Sequence, residues 1–109
     1  MAGILIIDDR PDTRLKTIEE LKKYGYRIHA QADASRGEEA IGSDLPGLVL
    51  INRHMVSVDS VSLFLQIKEK YPQLPVMLYA LKSDTALKSL NQAITMAFRE
   101  SRAGRRQRS

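Results

Sequence analysis

Two short apolar segments constrain the fold of this chain more than any other feature of its sequence. The segments Ile4 to Ile7 and Leu48 to Ile51 are each followed directly by a polar residue, Asp8 in the first case and Asn52 in the second. Apolar runs of this length with β-branched residues are typical of strands that are buried on both faces. Such strands occur in parallel sheets that carry helices on both sides. The sequence therefore predicts an α/β protein built around a buried parallel sheet.

The stretch between the two apolar segments has the signals of helices and of a less buried strand. A first helix is predicted from Pro11 to just before Gly25, because Pro is favoured in a first helical turn and Gly supplies the left-handed stop. Residues 26–32 alternate between apolar and polar side chains, which indicates a half-exposed strand. Ser35 and Glu38 have the spacing of a capping box, so a second helix is expected to begin there.

The second half of the chain continues the alternation of strand and helix. After a loop over 53–60, a third helix is predicted to run to about Lys70, and residues 76–81 are predicted to form a fourth strand. A last helix is predicted from the strongest helical period in the chain, in the side chains Leu87, Leu90, Ile94, Ala97 and Phe98. Strands that alternate with helices in this way predict a doubly wound parallel sheet in one domain over residues 1–98.

The net charge is concentrated at the C-terminal end. The chain has a formal net charge of +4. Residues 99–109 hold five arginines and one glutamate, so this Arg-rich tail carries the whole excess and residues 1–98 are neutral. A basic tail of this kind either binds phosphate groups or an acidic partner, or is a solvated end that binds nothing specific.

The composition excludes several classes of protein. The chain has no cysteine, which excludes a disulfide scaffold, a thiolate metal site and a cysteine nucleophile. No apolar run approaches the roughly 20 residues that span a bilayer. Asp8 and Asp9 interrupt the N-terminal apolar stretch too early for a signal peptide. We expect a soluble cytoplasmic protein that makes no contact with a membrane.

Polar side chains gather where the predicted strands end. In doubly wound folds, chemistry occurs at the carboxyl ends of the strands, a rule that selects Asp8, Asp9, Asn52 and Tyr79. Two adjacent carboxylates repel each other, and a hard cation such as Mg²⁺ relieves that repulsion. The alternative is structural, with Asp8 capping the following helix and Asp9 merely solvated. The residue types alone leave both interpretations open.

At these positions the sequence resembles the receiver domain of two-component response regulators. The resemblance lies in Ile4 to Asp9, in Leu48 to Asn52 followed by Met55, and in Leu74 to Ala80, and it covers roughly residues 3–81. It implies a flavodoxin-like fold. In that family a helix, a strand and a final helix follow the fourth strand, whereas residues 80–98 have room for one helix and a turn. We therefore expect a sheet truncated to about four strands, without the fifth strand and one helix.

The resemblance also assigns roles, position by position. Asp8 and Asp9 match the acidic pair that binds Mg²⁺, Asn52 stands at the position of the phosphate-accepting aspartate, and the switch positions are Tyr79 and Lys82. An amide cannot form an acyl phosphate as a carboxylate does. The resemblance thus implies a pseudo-receiver that requires no cofactor, with at best a weak Mg²⁺ site.

Without attached domains, this resemblance predicts a stand-alone module that is not an enzyme. We expect it to act in signal transduction by binding a protein, such as a histidine kinase or another regulator. One alternative is a phosphotransfer receiver that uses Asp59 as a substitute acceptor. Another is nucleic-acid binding through the Arg-rich tail, for which the sequence has no recognisable motif.

The missing strand also predicts self-association. Residues 76–81 would form an edge strand, which proteins rarely leave bare. We expect a homodimer through the fourth strand and the last helix, with an interface of Val76, Leu78, Leu87, Leu90, Ile94 and Phe98. The alternative is that the last helix seals the edge within one chain.

Overall fold

The computed structural model describes residues 3–81 and 88–99 of the chain. Strands and helices alternate along it. The elements are β1 (Gly3–Ile7), α1 (Pro11–Lys22), β2 (Arg27–Gln31), α2 (Ala34–Ser43), β3 (Leu48–Asn52), α3 (Ser60–Lys70) and β4 (Val76–Tyr79). Residues 88–99 are helical and are called α4 here. The proposed boundary between a domain and a tail at residue 99 stays a prediction.

The four strands form one parallel sheet in the order β2-β1-β3-β4. This is the flavodoxin-like strand order, in which the chain starts near the middle of the sheet and winds outward in both directions. The predicted doubly wound parallel α/β fold is therefore confirmed. Within the described ranges β4 is an edge strand that pairs only with β3.

The apolar side chains of the central strands divide between two layers, as alternation along a strand requires. On one face, Ile4, Ile6, Leu48 and Leu50 pack in a cluster that includes Leu90 and Ile94 of α4 and Leu21 of α1. On the other face, Leu5, Ile7, Val49 and Ile51 pack with Ile41 of α2 and with Leu63 and Ile67 of α3. Helices therefore cover both faces, and β1 and β3 are the buried strands that the sequence predicts.

The helix ends are set by local backbone chemistry. Gly25 has a φ of 81°, in the left-handed region that glycine adopts without strain, and its N–H donates to the carbonyl of Lys22 at the end of α1. The predicted capping box at Ser35 is wrong, because α2 begins one residue earlier. Asp33 is its N-cap and accepts hydrogen bonds from the N–H groups of Ser35 and Arg36.

The side chains expected at a dimer interface do not form one surface. Val76 and Leu78 pack at the margin of the α2–α3 layer, whereas Leu90 and Ile94 are buried in the opposite layer. Phe98 also lies in that layer and its ring contacts the ring of Tyr26, with a centroid distance of 5.9 Å. The assignment of α4 to a dimer interface is therefore corrected, since α4 turns its apolar stripe to the sheet of its own chain. Leu87 lies outside the described residues.

No helix in the part of the chain that the structure describes is long and apolar enough to cross a membrane.

Candidate functional site

The carboxyl ends of three neighbouring strands bring together the polar side chains that the sequence selects. Asp8 follows β1, Asn52 ends β3 and Tyr79 ends β4. The parallel register places these strand ends side by side, since Ile7 pairs with Ile51 and Asn52 pairs with Tyr79. The three side chains are almost completely buried.

Asp8 is the centre of this site, and four donors surround its carboxyl group. The oxygen Oδ1 accepts from the backbone N–H of Arg10 and from Nδ2 of Asn52, both at 2.9 Å. The oxygen Oδ2 accepts from the hydroxyl groups of Thr13 and Tyr79, both at 2.7 Å. Asp8 is 0% exposed, so these contacts replace the water that a carboxyl group would otherwise bind. Each oxygen thus has two partners from the protein itself.

The amide of Asn52 is held in one orientation. Its Oδ1 accepts from the backbone N–H of His54 at 2.9 Å, and its Nδ2 also approaches Oγ1 of Thr13 at 3.1 Å. A backbone N–H can only donate, so it identifies the amide oxygen and leaves the NH₂ group facing Asp8. A hydroxyl of Ser60 donates to the backbone carbonyl of Asn52 at 2.6 Å and fixes the start of α3 against the end of β3.

Tyr79 lies inside this site rather than on the surface. Burial raises the pKa of its hydroxyl far above the ordinary value, and the hydrogen bond and negative charge of Asp8 raise it further. The hydroxyl therefore stays protonated and donates to Asp8. The backbone of Tyr79 also contributes, since its carbonyl accepts from the N–H of Arg53 at 2.8 Å.

Asp9 faces the loop between β3 and α3. Its oxygen Oδ2 accepts from the N–H of Val56 at 2.9 Å and from both the N–H and the hydroxyl of Ser57 at 2.7 Å. Partial burial raises the pKa of this carboxyl, but the bonds from Ser57 and Val56 outweigh it, and the net pKa is lowered. Asp9 thus holds the loop in place through hydrogen bonds and is not a merely solvated residue.

The donor set does not suit a magnesium ion. Mg²⁺ takes oxygen ligands and needs free carboxylate oxygens. Here both oxygens of Asp8 already have two donors each, and Asn52 directs NH₂ rather than oxygen toward Asp8. Within residues 3–81 and 88–99, no three histidine, cysteine or acidic side chains are grouped so that they could hold a metal ion. The acidic pair to which the resemblance assigns Mg²⁺ binding is therefore present. The carboxylate oxygens of both residues, however, accept hydrogen bonds from donors of the protein itself.

Sequence reasoning found Asp8, Asp9, Asn52 and Tyr79 but missed Thr13. This residue is the donor to Oδ2 of Asp8 that comes from α1. Its position in the first turn of α1, shortly after the end of β1, is a signal that could have selected it. The predicted switch residue Lys82 lies outside the described residues.

Comparison with known proteins shows the family of this chain. The sequence profile described as the response regulator receiver domain matches residues 4–98. The chain therefore belongs to the response regulator receiver domain family.

Curated relatives include much longer proteins. The C4-dicarboxylate transport transcriptional regulatory protein DctD of Pseudomonas aeruginosa is 31% identical over 84 residues, which are 77% of this chain and 18% of DctD. The sensor protein TorS of Escherichia coli is 29% identical over 97 residues, 88% of this chain and 10% of TorS. The chain thus spans less than a fifth of the length of these relatives.

The fold is also that of solved receivers. The crystal structure of a CheY-like response regulator receiver domain protein from Methanospirillum hungatei superimposes with a TM-score of 0.82 at 17% identity. The match covers 95% of this chain and 98% of that one. At this identity the likeness concerns the fold alone.

Proposed function

We propose that this chain is a pseudo-receiver, a receiver domain that accepts no phosphoryl group and acts in signal transduction by binding another protein. The observation that carries the proposal is the amide of Asn52 at the acceptor position, with its NH₂ group 2.9 Å from Asp8. A carboxylate nucleophile is needed to form an acyl phosphate, and the amide offers none. On this proposal the chain has no catalytic activity of its own.

The contacts of Asp8 support the same conclusion. In a receiver that works with Mg²⁺, the cation neutralises the acidic cluster. Here four uncharged protein donors, among them Tyr79 and Asn52, hydrogen-bond the carboxyl of Asp8 in place of a cation. The domain therefore holds one arrangement without a cation or a phosphoryl group, which suits a module whose binding surface is always presented.

The partner that we propose is a sensor histidine kinase or another regulator of a two-component system. The support is the family itself and the kinds of protein in which related segments occur, a transcriptional regulator and a sensor protein. The cytoplasmic location expected from the sequence is part of this proposal.

The alternative acceptor Asp59 has another role in the structure. It is the N-cap of α3, and its carboxyl accepts from the N–H of Val61 at 3.2 Å and from the hydroxyl of Ser62 at 2.8 Å. These bonds tie it to the helix start, so no observation favours it as a nucleophile. Nucleic-acid binding by the Arg-rich tail concerns residues of which only Arg99 is described, and it stays a prediction.

The proposal is tested by exposing the chain to a small phosphodonor with Mg²⁺ and measuring its intact mass. We expect no added phosphoryl group, because Asn52 removes the acceptor. A known receiver domain with an intact acceptor is the positive control. A phosphoryl group mapped to any aspartate of this chain would overturn the proposal.

The variant Asn52→Asp tests the claim that protein donors have replaced the cation. It removes one donor from Asp8 and places a second carboxyl beside it, so the two repel and the folded state loses stability. Mg²⁺ should raise the melting temperature of Asn52→Asp and leave that of the wild type unchanged. An equal rise in both proteins would mean that the native site binds Mg²⁺.

The docking part is tested with the purified cytoplasmic region of a histidine kinase from the same genome. We expect binding whose affinity is the same with and without the phosphodonor and Mg²⁺. An affinity that changes on addition of the phosphodonor would contradict a permanently presented surface.

A further inference from the structure

A cleft opens where strands β1 and β2 begin, at the opposite end of the sheet from Asp8. Its volume is about 570 Å³, a size typical of pockets that hold small molecules. The first residues of β1 and β2 line one side, and the end of α2 with the loop that follows it lines the other. We call it the β2–α2 cleft and define it by Gly3, Arg27, His29, Ser43, Asp44 and Leu45.

The cleft is open because position 3 of β1 carries no side chain. Leu5 and Ile7 of this strand pack toward α2, and alternation along the strand places Gly3 on the same face. Apart from its neighbours in the chain, a Cβ added at Gly3 would have one described atom within 4 Å, the carbonyl oxygen of Arg27 at 3.9 Å. The N–H of Gly47 donates to the carbonyl of Gly3 at 2.8 Å, which fixes the end of the loop against β1.

Arg27 and Asp44 bring opposite charges to the cleft. Ile28 packs in the layer of α1 and α4, so alternation along β2 places the side chain of Arg27 on the opposite face, toward α2. Asp44 follows α2 as its C-cap. Both side chains are exposed, and neither makes an ion pair or a hydrogen bond with another residue of the ranges 3–81 and 88–99. The cleft thus offers a ligand one cationic and one anionic group.

The position of Asp44 is electrostatically unfavourable in the chain alone. The last carbonyls of a helix carry partial negative charge, so an anionic side chain beside them is repelled. α2 has no basic side chain in its last turn that would offset this repulsion. A cationic group of a ligand would therefore be stabilised by Asp44 and by the helix end together. A carboxylate is the group that suits the planar guanidinium of Arg27.

The cleft also has an apolar rim. Leu45 follows Asp44 directly and is 65% exposed, which is unusual for a large aliphatic side chain. Ala40 and Pro46 line the cleft beside it. A ligand with an aliphatic part would cover Leu45 and remove apolar surface from water.

We propose that the β2–α2 cleft binds a free α-amino acid with an aliphatic side chain, such as leucine. The carboxylate of the amino acid pairs with Arg27, its ammonium group pairs with Asp44 and the end of α2, and its side chain covers Leu45. A ligand with a single charge leaves either Arg27 or Asp44 without a partner, so a zwitterion fits better than a simple acid or amine. The site lies at the other end of the sheet from Asn52, and the proposal does not depend on the absence of phosphoryl chemistry.

The first test is isothermal titration calorimetry of the full chain with L-leucine, isocaproate and isoamylamine. Isocaproate lacks the ammonium group of leucine, and isoamylamine lacks its carboxylate. We expect leucine to bind and each of the other two to bind at least about tenfold more weakly, because each loses one charge-assisted contact. An absence of leucine binding, or isocaproate that binds as tightly as leucine, would overturn the proposal.

The variant Gly3→Val tests the location of the site. Valine fills the empty position and suits a strand, and Gly3 has no positive φ that would strain it. This variant should lose leucine binding and keep or raise the melting temperature of the wild type. The matched control is Gly42→Ala on α2, outside the cleft, where a Cβ meets the hydroxyl of Tyr71 at an ordinary 3.6 Å. The control should bind leucine as the wild type does.

Charge variants and amide signals complete the test. Arg27→Gln and Asp44→Asn change exposed side chains, so the fold should persist, and each should weaken leucine binding at least about tenfold. In NMR spectra of the wild type, leucine should shift the amide signals of Gly3 and Gly47 and leave that of Asn52 in place. Leucine binding that Gly3→Val and Asp44→Asn leave intact contradicts the proposal. No phosphodonor is present in these measurements, so a negative result leaves the pseudo-receiver proposal standing.

Discussion

At the scale of single residues, the buried carboxyl group of Asp8 places strict requirements on the side chains around it. A carboxyl group without water requires compensating donors, and removal of one donor from a buried acceptor costs more than the bond itself contributes. The four donors come from distant parts of the sequence: the backbone of Arg10 and the side chains of Thr13, Asn52 and Tyr79. The identity of Tyr79 at the end of β4 is therefore a structural requirement of the Asp8 site.

The variant Tyr79→Phe isolates this requirement. It keeps the ring in the core and removes only the hydroxyl that donates to Oδ2 of Asp8. We expect the free energy of unfolding to fall by about 1 to 3 kcal/mol. Urea unfolding measures this loss, and Tyr24→Phe, at an exposed tyrosine, is the matched control. Equal stabilities of the two variants would contradict the role given to the hydroxyl.

At the scale of elements, aspartates fix the starts of two helices. Asp33 caps α2 and Asp59 caps α3, and hydrogen bonds from Ser35 and from Ser62, respectively, are the largest cause that lowers each pKa. A carboxyl whose folded pKa is lowered stabilises the fold above its unfolded pKa of about 3.9 and loses that effect as the pH falls through the folded value. Acid should therefore loosen both helix starts.

The variant Asp59→Asn tests this dependence at α3. Asparagine caps a helix as aspartate does but does not titrate, so the variant should lose less stability than the wild type between neutral pH and about pH 3. Ser62→Ala should also flatten the dependence, because it removes the main cause of the lowered pKa. The measurement is the melting temperature against pH. Parallel curves for the wild type and Asp59→Asn would show that this cap does not contribute.

The elements were predictable from the sequence because apolar runs and alternation follow directly from burial. The segments Ile4 to Ile7 and Leu48 to Ile51 are the two central strands, as their composition requires. Side-chain partners were less predictable. The N-cap Asp33 competes with Ser35, two residues away, and only the geometry of the turn decides between them. The layer to which α4 belongs was not predictable either, because an apolar stripe does not say which face it covers.

At the scale of the whole molecule, α4 is the element that closes the layer over α1. Ile94 is completely buried between the sheet and α1, whereas Met96, two residues further on the same helix, is 59% exposed. The helix is thus part of the core, and its removal from the sheet would expose both Tyr79 and the central strands.

The pair Ile94→Ala and Met96→Ala measures this contribution. The first should lower the free energy of unfolding by about 2 to 5 kcal/mol, since it leaves a cavity in the core. The second should change it by no more than about 0.5 kcal/mol. Chemical denaturation of both variants gives the comparison. Similar values for the two would mean that α4 is not docked in solution.

The hydrogen bond between Tyr79 and Asp8 also bears on how the chain folds. It joins groups 71 residues apart, and the bond from Asn52 to Asp8 joins groups 44 apart. Closure of such long loops costs chain entropy before any contact compensates for it. We therefore expect these two hydrogen bonds to form late in folding. A partly assembled sheet with β1 and β3 paired and β4 undocked would leave Asp8 short of a donor. The penalty disfavours that intermediate, so a single carboxyl group makes assembly of the sheet closer to all-or-none.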